Sequence, residues 1–123
     1  MNKINPKLIL VRGLPGSGKS TIAKTLTGYV HVEADMYHYQ DDKYCFKIEN
    51  IKLSHEWCMA ETENQLDAGK RVVVSNTFTQ MWEMEPYFNM GVETSVIVAH
   101  GSFKSIHNVP EEAIKRMADR FEL

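Results

Sequence analysis

The run Gly13-Leu14-Pro15-Gly16-Ser17-Gly18-Lys19-Ser20 constrains this chain more than any other feature. It satisfies the pattern GxxxxGK[ST] at every fixed position. It follows an apolar run, Leu8 to Arg12, and it opens a stretch, residues 19–27, in which Ile22, Ala23 and Leu26 recur at helical spacing. Glycines at these places let successive backbone N–H groups turn into one concavity, and the positive end of the helix adds to it. The loop is therefore expected to cradle a chain of phosphates. Lys19 would reach the outer phosphates, and the Ser20 hydroxyl would ligate Mg²⁺.

A loop of this kind needs a strand before it and a helix after it, and the rest of the chain repeats that alternation. Leu8 to Arg12 reads as a strand buried on both faces, and Gly28 stops the first helix. Tyr29 to Ala34 is predicted as the second strand, ending at Asp35. Residues 36–50 have no sustained period and read as a loop or short helix. Ile51 to Ala68 is predicted as a helix with Ile51, His55, Cys58, Met59, Thr62 and Leu66 on one face, closed by Gly69. Lys70 to Ser75 is a third strand, a short helix follows at about 80 to 90, and Glu93 to Ala99 is a fourth strand. The last helix opens at Pro110 and buries Ile114, Met117, Ala118 and Phe121. The order βαβαβαβα predicts an α/β fold of three layers, with a parallel sheet of about four strands flanked by helices.

Two further places carry candidate chemistry. Asp35 follows strand two, and ligands of parallel sheets bind beyond the carboxyl ends of the strands. Its carboxylate can accept the proton of an attacking hydroxyl, hold magnesium through water, or simply cap a turn. Ser75-Asn76-Thr77 follows strand three, where phosphoryl-transfer enzymes with this loop place an acid that orients the metal. Here the acid is missing. Ser75 and Asn76 are neutral groups that could still hydrogen-bond metal-bound waters, or form an ordinary polar exit from the strand.

Composition removes other classes. A chain of 123 residues with 43% hydrophobic and 24% charged residues suits one globular domain. The formal charge of -2 gives no basic field to draw in long nucleic acid or an anionic membrane. The apolar run at Leu8 is too short for a signal-peptide core or a membrane span, so a cytoplasmic protein is expected. Cys45 and Cys58 form no CxxC pair, and the five histidines lack metal-site spacing.

The run RGLPGSGKST, the residues Glu33-Ala34-Asp35, the Tyr44 and Phe46 pair, SHEWC at 54–58, NTFTQMWEMEPY at 76–87 and HNVPEEAIKRM at 107–117 resemble the P-loop kinase-like family. That family includes the polynucleotide kinase domains of phage end-healing enzymes. The pattern is most similar to the ATPase domain found in ubiquitin-ligase-binding proteins and in many short phage proteins. The resemblance spans about residues 8 to 121. It implies a single P-loop kinase-like domain over 1–123 that binds ATP with Mg²⁺ through Gly13, Pro15, Gly16, Ser17, Gly18, Lys19, Ser20 and Thr21. By analogy with the polynucleotide kinases, Asp35 would be the general base, with Ser20 and Asp35 at the metal and Lys19 at the transferred phosphate.

The chain departs from the family at three places. His38 stands near where the kinases carry an acceptor-binding arginine, Asn76 stands where their third-strand motif has an aspartate, and the lid before the last helix is shortened. Lys104 and Ser105 occupy the places of the lid's RN pair. Arg116, with Arg120 four residues on, could supply the missing positive charge, although Glu112 and Arg116 also have the spacing of a surface pair. Tyr37, His38, Tyr39, Tyr44 and Phe46 could stack on a nucleobase or cover a core. His55, Trp57 and Cys58 are expected to pack the second helix on the sheet. The expected partners are a nucleotide and a nucleic-acid 5′ end; a protein partner fits an alternative role as an ATP-binding or slowly hydrolysing module without kinase activity. A nucleoside monophosphate kinase is disfavoured by the short chain and the absence of an arginine-rich lid.

Overall fold

A computed structural model describes residues 6–40, 43–101 and 111–122. Four parallel strands form the central sheet: β1 (Leu8–Arg12), β2 (Tyr29–Val32), β5 (Arg71–Asn76) and β6 (Thr94–Val98), in the order β2-β5-β1-β6. β1 is central, paired with β5 on one side and β6 on the other. Its five residues are buried, Leu8 to Val11 as the apolar run predicts and Arg12 with its guanidinium bonded to backbone carbonyls. In register, Arg12 lies beside Asn76 and Val98, so the carboxyl ends of these three strands finish at one edge.

Alternation along the strands divides the core. Leu8, Leu10, Val72, Val74 and Val32 face one side with Cys58, Phe78, Met84 and Tyr87, which brings α2 (Ile51–Asp67) and α3 (Met81–Phe88) onto that face. Ile9, Val11 and Val73 face the other, where α1 (Lys19–Thr25) packs Ala23 and, beside it, Ile22. The result is the expected three-layer α/β arrangement. The last helix, α4 (Glu111–Arg120), ends one residue before Phe121, and Phe121 lies under the Arg12 guanidinium at 4.3 Å from ring centroid to Cζ. Its predicted opening residue, Pro110, lies outside the described residues, as do Lys104 and Ser105.

Three local expectations change. β2 ends at Val32, because Ala34 gives its N–H to the Asn76 Oδ1 at 2.9 Å and Met36 N–H turns back to the Glu33 carbonyl at 3.0 Å. Ala34–His38 is then a 3₁₀ turn, so Asp35 sits on that turn rather than at the strand end. The 36–50 stretch also holds a two-stranded antiparallel ribbon, β3 (Tyr39–Gln40) with β4 (Lys43–Tyr44), and a second 3₁₀ turn at Ile48–Asn50. In α2, Ile51 and His55 are exposed, whereas Ser54, Cys58 and Thr62 form the buried stripe. Two hydroxyls can be buried there because each bonds within its own helix: Ser54 Oγ to the Ile51 carbonyl (2.6 Å) and Thr62 Oγ1 to the Cys58 carbonyl (2.8 Å). Cys58 and half-buried Trp57 pack against the sheet as expected. Among the described residues, no helix is long and apolar enough to cross a membrane.

Candidate functional site

The loop from β1 to α1 is built from backbone. Gly16 (φ 82°) and Gly18 (φ 92°) adopt left-handed conformations that side chains disfavour, and Gly18 is the residue from which α1 starts. Ser17 N–H bonds the Leu14 carbonyl (3.0 Å), Ile22 N–H bonds that of Gly18 (2.9 Å), and Gly101 N–H bonds that of Ser17 (2.9 Å). Gly13 N–H bonds the Thr77 carbonyl at 3.2 Å. A Cβ on Gly13 would collide with Ser17 Oγ and stand 3.0 Å from the Ala99 carbonyl oxygen. The loop is thus fixed against the ends of both neighbouring strands.

Lys19 is half-buried, with Nζ 3.5 Å from the Leu14 carbonyl oxygen. Burial pushes its pKa below the usual lysine value, and the charges of Glu33 and Asp35 pull it back up. Both carboxylates therefore lie within electrostatic reach of the loop lysine. Asp35 Oδ1 accepts a hydrogen bond from the Tyr44 hydroxyl at 3.2 Å, and burial with the Asp35 charge drives the Tyr44 phenol well above its ordinary pKa. Tyr44 is thereby kept as a neutral donor to that carboxylate.

Ser20 donates its proton to Glu33 Oε1 at 2.8 Å, and Ser75 donates to the same oxygen at 2.8 Å. His31 Nε2 lies 2.7 Å from Ser75 Oγ and 3.2 Å from Glu33 Oε1. Burial alone would raise the Glu33 pKa, but hydrogen bonds from His31, Ser75 and Ser20 outweigh it and hold the carboxyl at about 2. Asn76 has a different task. Its Oδ1 takes the Ala34 N–H, and its Nδ2 reaches Cys58 Sγ at 3.5 Å on the opposite face of the sheet. The site-facing residue of this pair is Ser75. Strand alternation decides it in the structure, since Ser75 follows Val73 onto the α1 face while Asn76 follows Val74 onto the α2 face, a parity that three identical buried valines do not signal in the sequence.

Arg12, one residue before the loop, is buried and faces away from it. Its Nε and Nη2 donate to the Phe78 carbonyl at 2.9 and 2.7 Å, and Nη2 reaches that of Thr79 at 3.3 Å. Arg120 Nε donates to Thr79 Oγ1 at 3.2 Å, and Arg116 is exposed on α4. A cavity of about 420 Å³ opens on the other side of the loop, lined in part by Leu14, Ser17, His100, Gly101, Ala118 and Phe121. The aromatic residues divide: His38 is buried, with its ring 4.9 Å from Phe46 and 6.0 Å from Tyr44 between centroids, while Tyr37, Tyr39 and Phe46 are partly exposed.

The donor set fits a phosphate chain and a hard cation. Among the described residues, Ser17 Oγ is buried without a hydrogen-bond partner at the loop, and the Ser20 oxygen is of the kind magnesium prefers. Among the described residues no group of three or more His, Cys, Asp or Glu could hold a metal alone.

The chain is similar to known proteins in sequence and in fold. The sequence profile of a family described as an AAA domain matches residues 8–105. NEDD4-binding protein 2 from Homo sapiens is 31% identical over 133 aligned positions, covering 94% of this chain and 8% of that protein. A putative bifunctional polynucleotide phosphatase/kinase from Acanthamoeba polyphaga mimivirus is 34% identical over 92 positions, covering 72% of this chain and 18% of that protein. The chain thus spans a small part of both relatives. Among solved structures, the Pnkp1/Rnl/Hen1 RNA repair complex contains a chain matched with a TM-score of 0.69 at 18% identity, over 98% of this chain and 45% of that one. A gluconokinase from Sinorhizobium meliloti 1021 matches with a TM-score of 0.64 at 18% identity, over 94% of this chain and 74% of that one. These two likenesses establish the P-loop kinase-like fold.

Proposed function

The chain belongs to the AAA-domain family of P-loop proteins, and from that premise we propose that it binds ATP with Mg²⁺ through Gly13 to Thr21 and transfers the γ-phosphate to a hydroxyl acceptor. A nucleic-acid 5′-OH or a nucleotide is the acceptor class favoured by the mimivirus relative, whose name specifies a polynucleotide phosphatase/kinase. The observation that carries the reading is the convergence on Lys19 of a backbone phosphate cradle and the Asp35 carboxylate. Asp35 would accept the proton as the acceptor oxygen forms its bond to phosphorus and the bond to the ADP oxygen breaks. Tyr44, held as a neutral donor, would orient that carboxylate. Ser20 would hold Mg²⁺, which when bound neutralises phosphate charge. Lys19 would hold the outer phosphates, and Arg116 would add positive charge at the transferring group.

The assay is transfer from labelled ATP to an unphosphorylated oligonucleotide. Asp35→Asn should abolish transfer and leave ATP affinity nearly intact, since the base acts on the acceptor. Lys19→Ala should weaken ATP binding itself, by roughly tenfold or more as a charged phosphate contact is lost. Arg116→Ala should lower the transfer rate. A second reading, an ATP-binding or slowly hydrolysing module acting through a protein partner, is favoured by the neutral end of β5 and by the naming of the human relative for a protein it binds. No transfer to DNA, RNA or nucleoside acceptors, with ATP binding retained, would select it.

A further inference from the structure

We propose that Glu33 orients the magnesium ion of this site, delivering from β2 the carboxylate that β5 lacks. The proposal rests on the nucleotide-binding reading above and assigns the metal-orienting role to Glu33, which leaves Asp35 to the acceptor.

The topology makes this possible. β2 is next to β5, and β5 is next to β1, so the end of β2 is one strand farther from the loop than the usual acid would be. Glu33 lies one residue beyond β2, and side chains alternate: Val32 enters the α2-side core, whereas His31 and Glu33 lie with Ser75 and Ser20 on the α1 side. A glutamate has the length to cross the intervening Ser75. A serine at 75 leaves room for it and donates a hydrogen bond that fixes its aim.

Counting protons shows what is left for a cation. Ser20 and Ser75 each have a single hydroxyl proton, and both are given to Glu33 Oε1. His31 Nε2 must then be the donor toward Ser75 Oγ and Glu33 Oε1, which assigns the proton on that nitrogen. Oε1 is thus filled by donors. Among the described residues, Oε2 has only the longer Ser20 contact at 3.4 Å. The Ser20 oxygen, its proton directed at Glu33, keeps its lone pairs. A serine oxygen and a carboxylate oxygen are the hard pair magnesium takes, directly or through its waters.

The test compares ATP affinity in excess magnesium with affinity in excess chelator, by calorimetry. Wild type should bind about tenfold tighter with magnesium, or more, because the metal-phosphate unit gains the Glu33 contact. Glu33→Gln should bring that ratio to within about twofold of unity while metal-free affinity is kept or raised, since the charge removed attracts the metal and repels bare phosphate. Adding Ser75→Asp to Glu33→Gln should restore most of the ratio by returning an acid to β5. A full ratio in folded Glu33→Gln overturns the proposal, and so does equal loss with and without metal, the mark of a structural role. If Glu33→Gln does not fold, the exchange variant Glu33→Ser with Ser75→Asp decides: a retained ratio supports the proposal and a lost ratio overturns it. Wild type that binds ATP with no metal preference defeats the Glu33 assignment alone. Wild type that binds no nucleotide defeats the ATP reading and this inference with it.

Discussion

The loop of residues 13–20 and the cluster at Glu33 lie at the same sheet edge yet are assembled in opposite ways. The loop is contiguous, and its proposed role as a phosphate cradle rests on backbone N–H groups placed by left-handed glycines. The cluster joins Ser20, His31, Glu33 and Ser75, with Ser75 lying 42 residues from Glu33, and it consists entirely of side chains. A backbone site tolerates side-chain change but not crowding. A side-chain site depends on which face of a strand each residue occupies, so a shift of one position exchanges its members.

The sharpest way to separate face from sequence position is Arg12→Ala. Arg12 adjoins the loop in sequence, but its guanidinium serves the opposite side of the strand, where it satisfies the Phe78 and Thr79 carbonyls and covers Phe121. Its loss leaves buried carbonyls unpaired and should cost about 3 to 4 kcal/mol of stability, read by denaturant unfolding. ATP affinity of the folded fraction should change far less than in Lys19→Ala. An affinity loss equal to that of Lys19→Ala would show that adjacency in sequence, not strand face, governs the site.

Acid unfolding tests the cluster. Glu33 has its folded pKa depressed to about 2 from 4.5, so its stabilisation is fully present above the unfolded value and is lost as pH falls through the folded one. Roughly 3 kcal/mol present at neutral pH should therefore disappear between about pH 4.5 and pH 2. In Glu33→Gln this part of the pH dependence should be absent in metal-free buffer. Parallel acid profiles for the two proteins would mean that the hydrogen bonds do not favour the ionised form.

Gly13→Ala tests the backbone site with the smallest possible side chain. The added methyl would meet Ser17 Oγ and crowd the Ala99 carbonyl, so the loop must shift. ATP affinity should fall by roughly tenfold, with about 1 to 2 kcal/mol lost from stability, as overpacking of a close approach usually costs. Unchanged affinity would show that the cradle has slack.

Legibility in the sequence follows the same division. The glycine loop, the four sheet strands and the three-layer arrangement are readable because each depends on local pattern: a contiguous motif, an apolar run, a helical period. The buried Ser54 and Thr62 are not, because their hydroxyls are satisfied inside α2 and a polar residue signals exposure only when its hydrogen bonds go to water. The end of β2 is misplaced because Asn76, far along the chain, takes the Ala34 N–H that would continue the strand. The choice between Ser75 and Asn76 is not readable either, because Val72, Val73 and Val74 are alike and buried on both faces, so their parity is fixed only by what packs on each side. Nor are the length and direction of Glu33, since they require knowing that β5 lies between β2 and β1.

Asn76→Ala is the mildest change and bears most directly on that parity. Asn76 accepts from Ala34 and reaches Cys58 on the α2 face, so its role is to fasten the end of β2 to the end of β5. Removing it leaves one buried N–H without a partner and should cost about 1 to 2 kcal/mol in thermal or denaturant unfolding. The magnesium dependence of ATP binding should stay at the wild-type ratio, because the Asn76 side chain bonds the Ala34 N–H and Cys58 rather than the Ser20 or Glu33 side chains. Asn76→Asp extends the test: the new carboxylate would be placed among Cys58, the Ala34 N–H and apolar neighbours, where its charge is poorly solvated. It should destabilise the fold without strengthening metal-dependent binding, whereas the acid introduced by Ser75→Asp enters the face shared with Ser20. If Asn76→Asp instead raised the magnesium ratio, the end of β5 would be able to turn its last side chain toward the loop, and the division of the two faces would not hold at the site.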